Sequence, residues 1–375
     1  MSLTQEIKEF ALDLGYSKAG AAPADDFTDH IAELESRGDL YDFFTRGSAN
    51  PLGNARPRTL VPQARSIITL VWDYFTRAFP ENLLGKIGRV YQARCYNAPV
   101  ERAAGARLQL MKNFVASKGC AICGPLLLPE RRASARAGTA SIGRNTFAYA
   151  KGIGSFIVLN SIVIDKELEY DTPDETCHCP KDCKACVKAC PTGALYEPFK
   201  LNPKKCLGFN AWKTVEGSGW GITSSIPREI REKMDQRVHG CDLCQEACPR
   251  NQAKLKAPKP DDPYLVEVAK DFSLTKMLHM PEGFYEHRVQ PLMYNYIKEP
   301  KYFQRNAAVA LGNTKDPEYI PDLETEMNNP EEIIRSHTAW ALGRIGTGEA
   351  KKILEAKRKT ETSGAVQEEI EAALR

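Results

Sequence analysis

Cys179-Pro-Lys-Asp-Cys183-Lys-Ala-Cys186-Val-Lys-Ala-Cys190-Pro191, then Cys206, then Cys241-Asp-Leu-Cys244-Gln-Glu-Ala-Cys248-Pro249, sets eight thiols in two compact runs that each close on Cys-Pro. Thiolates at such spacing hold iron–sulfur clusters, and the cysteine before proline is turned away to ligate the other cluster. The first cluster is therefore assigned to Cys179, Cys183, Cys186 and the distant Cys248. The second takes Cys190, Cys206, Cys241 and Cys244. Sets of four thiolates also suit structural zinc, but crossed Cys-Pro runs favour a two-cluster bacterial ferredoxin-like domain. Such a chain moves electrons.

Outside that region the chain of 375 residues is long enough for two or three domains with cores of their own. Its 42% hydrophobic and 26% charged content is ordinary for a globular protein. The opening MSLTQEIKEFALDLGY has no leader pattern, and no apolar run is long enough to span a membrane. A cytoplasmic location is expected, with cysteines spaced as metal ligands rather than for disulfides. Net charge is only +3, but residues 81–160 carry 12 basic residues against 3 acids. An anionic ligand, a nucleic acid or the clusters themselves could use that excess.

Along the chain, Ser2-x-x-Gln5 reads as a capping box opening a helix that ends near Gly15. Residues 66–74 and 156–164 read as buried strands, with a helix over 98–118 between them. Residues 1–170 are thus expected as an α/β domain, 171–255 as the ferredoxin-like domain, and 256–375 as a linker and helices. In this last part Arg305-Asn-Ala-Ala-Val-Ala-Leu-Gly312 recurs 31 residues later as Ser336-His-Thr-Ala-Trp-Ala-Leu-Gly343. Helices ended by Gly at such a period predict all-α HEAT-like repeats, with residues 366–374 as a third unit.

Taken in order, these motifs resemble the cobalamin-dependent epoxyqueuosine reductase family, kin to the corrinoid reductive dehalogenases. Arg58-Thr-Leu-Val-Pro62, the segment 131–145 (RRASARAGTASIGRN), Gly154-Ser155, both cysteine runs, Lys205-Cys206 and Arg305 to Asn313 carry the likeness. The resemblance implies a base-off cobalamin between the α/β domain and the clusters, with electrons passing from cluster to cluster to cobalt. It implies corrinoid contacts at Ile142, Gly143, Arg144 and Asn145, and more loosely at Arg58, Ser155 and Asp242. It also implies an electron donor such as ferredoxin or flavodoxin, and a modified tRNA base or a small molecule as substrate.

The chain departs from the family in ways that bear on chemistry. Gly124 stands where the family carries a proton-donating Asp, and Cys95-Tyr96-Asn97 replaces its Asp-Tyr-His. Ala140-Ser141 replaces a tryptophan, and Cys177 is a spare thiol beside Cys179. Tyr96 and Cys123 are then the candidate catalytic residues, although a packed tyrosine and two buried free thiols at Cys120 and Cys123 are the plainer readings. Restoring the acid by Gly124→Asp is expected to raise activity on epoxyqueuosine tRNA. A divergent paralogue follows, with two rivals: an activating protein that reduces another corrinoid protein, and a plain ferredoxin module.

Overall fold

The computed structural model describes residues 1–41, 50–94, 102–124, 126–212, 223–293 and 299–375. Three strands form the N-terminal sheet: β1 (Lys18–Pro23), β2 (Ser66–Asp73) and β5 (Ile157–Ile164). They lie in the order β1-β2-β5 and pair antiparallel throughout. The two strands expected from β-branched runs pair with each other from Ser66↔Ile164 to Asp73↔Ile157. Strand β1, Lys-Ala-Gly-Ala-Ala-Pro, was missed because its small residues carry neither alternation nor β-branched bulk.

Helices cover both faces. Ile68, Leu70, Ile162 and Ile164 pack against Ile7, Ala11, Met111 and Val115 of the helices Leu3–Asp13 and Ala103–Ser117. The first helix opens on the predicted capping box, with Ser2 and Gln5 bonding each other's backbone. On the opposite face, Ile67 and Val163 meet Phe27, Ile31 and Ala133. Between Ser141–Ile142 (β3) and Ala148–Tyr149 (β4) runs the turn of residues 143–147.

The C-terminal helices pair as the repeat predicts. Pro300–Thr314, Glu332–Ile345 and Gly364–Leu374 stack in sequence, with Ile320–Glu326 and Gly348–Arg358 between them. The repeat's small residues are what let these helices touch: a β-carbon on Gly312 would meet Ala341 at 2.7 Å. Their core runs on into the segment after β2, where Tyr74, Phe75, Leu83, Ile87 and Tyr91 join it. Residues 74–93 of the expected N-terminal domain therefore pack into the core of the C-terminal helices.

Arg305, wholly buried, fastens this core to the cysteine-rich region. Its guanidinium donates to the carbonyls of Asn210, Ala211 and Ser224, while Asn306 donates to Ala211 and Val238 at 2.7 and 2.6 Å. Among the described residues no helix is long and apolar enough to cross a membrane.

Candidate functional site

Two short helices carry the middle of each cysteine run, Ala185–Lys188 with Cys186 and Leu243–Glu246 with Cys244. Proline closes each run, opening a turn after Cys190 and the 3-10 helix Pro249–Asn251 after Cys248. Cys179, Cys183, Cys186 and Cys248 line one cavity together with Arg144, Asn145 and Tyr149. Cys190, Cys206, Cys241 and Cys244, the other expected set, lie near enough to interact: Cys206 with Cys190, Cys241 with Cys206, and Cys244 with both Cys241 and Cys206. Cys244 also senses Cys186, so the groups are neighbours.

All eleven described cysteines are free. Burial pushes the Cys241 thiol up to about 12 and the Cys244 thiol well above its ordinary value, with neighbouring thiols adding to both. Bare thiolates are thus disfavoured, and it is the positive charge of iron that would hold them ionised. Among the described residues no three His, Cys, Asp or Glu side chains gather as a single ion would require. The donor chemistry and the four-thiol cavity fit clusters.

The turn after β3 is built against this cavity. The Arg144 backbone N–H donates to Cys179 Sγ at 3.4 Å, and its guanidinium to the Cys183 carbonyl at 2.8 Å. Buried Asn145 donates to the Tyr149 hydroxyl at 2.8 Å and to the Cys244 carbonyl at 3.2 Å. A β-carbon on Gly143 would meet the Tyr149 ring at 2.5 Å. The glycine makes room for the Tyr149 ring.

The remaining corrinoid candidates are also engaged within the protein. Ser155 donates from Oγ to Gln245 at 2.9 Å and from its backbone to Asn251 at 3.0 Å. Asp242 accepts from the Arg89 backbone at 2.7 Å and is buried, which raises its pKa although Arg89 opposes the shift. Arg58 is exposed; its backbone N–H donates to Asp26 at 3.1 Å and its side chain pairs with Asp25 at 2.6 Å. What this set offers a corrinoid is therefore the surface of the turn around Ile142 and Gly143, beside the thiol cavity, rather than a ring of free side-chain donors.

Of the two catalytic candidates, Tyr96 lies outside the described residues. Cys123 lies in the apolar core on one face of the sheet. It is 6% exposed in the core with Phe27, Ile31 and Leu128, and burial raises its thiol. Cys120 sits in the other core, with Ile164 and Val115, so the pair is split between the two faces of the sheet. Cys177 lies beside Cys179, within hydrogen-bonding reach of it. Three residues of chemical interest carried no sequence signal or were set aside: Tyr149, Arg250 and Glu130. The Glu130 carboxyl hydrogen-bonds Ser161, and burial pushes its pKa up to about 7.

Two family models match within the chain, a 4Fe-4S double cluster binding domain over residues 178–251 and HEAT repeats over 290–375. The epoxyqueuosine reductase of Bacillus subtilis (strain 168) is 28% identical across 98% of this chain and 95% of its own length. That of Escherichia coli (strain K12) is 27% identical across 91% and 89%. The chain is a homologue of the epoxyqueuosine reductases. An epoxyqueuosine reductase crystal structure matches with TM-score 0.81 at 28% identity, covering 99% of this chain and 98% of the other. A second, bound to an epoxyqueuosine-modified tRNA stem loop, matches with TM-score 0.80 at 26% identity and the same coverage. A third, from Bacillus subtilis, has its catalytic aspartate loop swung out of the active site and matches with TM-score 0.80 at 27% identity. By this kinship the chain is an oxidoreductase with a double 4Fe-4S domain and C-terminal HEAT repeats.

Proposed function

We propose that this chain is a reductase acting on a modified tRNA base, with two 4Fe-4S clusters and cobalamin as cofactors. Cys179, Cys183, Cys186 and Cys248 would hold one cluster, and Cys190, Cys206, Cys241 and Cys244 the other. The observation that carries the reading is the crossed grouping of thiols, which sets Cys248 of the second run in the cavity of the first. A corrinoid, when bound, supplies a strongly reducing metal centre for removing an oxygen substituent. Ile142 and Gly143 would support it. Arg144 ties that support to Cys179 and Cys183, so a group resting there would adjoin the first cluster. A low-potential donor such as a ferredoxin or flavodoxin would feed the clusters, and a tRNA substrate would put the protein in the cytoplasm.

The test is a spectrum of anaerobically reconstituted protein with hydroxocobalamin, followed by turnover of an epoxyqueuosine-containing tRNA stem loop. Binding with turnover supports the reading. Spectral change without turnover favours the rival, an activating protein for another corrinoid protein, which the lack of a carboxyl at Gly124 supports. No spectral change leaves a ferredoxin-type module.

A further inference from the structure

Arg250 follows Cys248-Pro249 and belongs to no motif used above. Its guanidinium stacks over the Tyr149 ring at 4.2 Å from the centroid. One arm donates to Ser141 Oγ at 3.3 Å, while the other, Nη1, is buried with no partner. Arg250 forms no ion pair with a carboxylate among the described residues, and its charge acts on Cys179 against the larger effect of burial. By contrast Arg237, the cation acting on Cys241 in the second group, faces Asp235 at 3.7 Å. A buried donor on an uncompensated cation is costly unless something accepts from it.

Tyr149 completes the arrangement. It is 1% exposed and accepts from Asn145 at 2.8 Å, which leaves its own proton to donate. Its hydroxyl interacts with Cys248 as well as with Ser155. Both members of the stacked pair therefore reach ligands of the same thiol cavity.

We infer that Arg250 and Tyr149 set the reduction potential of the cluster held by Cys179, Cys183, Cys186 and Cys248, with Arg250 Nη1 donating to that cluster. This rests on the ligand grouping proposed above. Reduction adds one negative charge to a cluster, and hydrogen bonds to its sulfurs together with nearby positive charge stabilise the reduced form, which raises the potential. The stacking on Tyr149 holds the guanidinium in place.

The experiment is potentiometric titration followed by electron paramagnetic resonance on full-length protein, for wild type, Arg250→Met, Arg250→Lys and Tyr149→Phe, each with iron and sulfide assayed. Arg250→Met should lower the midpoint of one cluster and leave the other in place. Arg250→Lys should recover part of the shift, and Tyr149→Phe should move the same cluster downward. If Arg250→Met loses a cluster, Arg250→Lys and Tyr149→Phe still decide. Unchanged midpoints in variants with full iron content, or equal shifts of both clusters, would overturn the inference. Wild-type protein with fewer than two clusters would instead overturn the ligand grouping on which it rests.

Discussion

Gly124 stands at φ +133°, and a β-carbon there would meet the backbone nitrogen of Leu126 at 2.7 Å. The position is shaped for glycine, so an acid cannot be restored simply by adding a side chain. This revises the expectation that Gly124→Asp gains activity. The substitution should cost about 1–3 kcal/mol in backbone strain and leave turnover unimproved. Chemical denaturation beside a tRNA assay checks it, and a more active variant of unchanged stability would contradict it. Glu130 gives a second residue-scale test. Its folded pKa of about 7 lies above its ordinary 4.5, so the folded state binds the extra proton. Glu130 thus lowers stability as pH rises from 4.5 through 7, and the loss is complete above that range. Glu130→Gln keeps a hydrogen-bonding partner for Ser161 without a charge to bury. Its stability relative to wild type should improve from pH 5 to pH 7 and then level off, as read from denaturant midpoints; a difference independent of pH would reject this account.

Between elements, His279 joins the helix Leu274–His279 to Ile320–Glu326. One ring nitrogen faces Asp322 at 2.6 Å and the other Glu326 at 2.7 Å, while Asn329 donates to Glu326 at 2.6 Å. Burial works to lower the imidazole pKa, but the two carboxylates outweigh it and the pKa is raised. The clamp's contribution is therefore full below the unfolded histidine pKa of 6.5 and is lost as pH rises through the higher folded value. His279→Gln should lower the melting temperature most at pH 5.5, with the deficit shrinking toward pH 8.5. A deficit that grows with pH would contradict the clamp. Sequence reading reached the strands β2 and β5, the capping box and the repeat helices because β-branched runs, a side-chain cap and a period of 31 leave local marks. It missed β1, whose small residues carry no such mark, and the stacking of Arg250 on Tyr149, which joins positions 101 residues apart in the chain.

Across the whole molecule, the proposed electron handling would rest on thiols from three stretches of chain that converge only on folding. The cysteine spacing led to the expected crossed set Cys179, Cys183, Cys186 and Cys248, and these four line one cavity. The corrinoid contacts were an expectation from family likeness alone, and most of the described side chains named for them bond within the protein. Cys206→Ser should remove one cluster and leave the other, halving iron content; a variant that keeps all its iron would refute the assignment of Cys206. The most direct test of the central claim is iron, sulfide and zinc analysis of anaerobically purified wild-type protein. The account predicts about eight irons and eight sulfides per chain and no stoichiometric zinc, whereas about four irons, or zinc in place of iron, would contradict it.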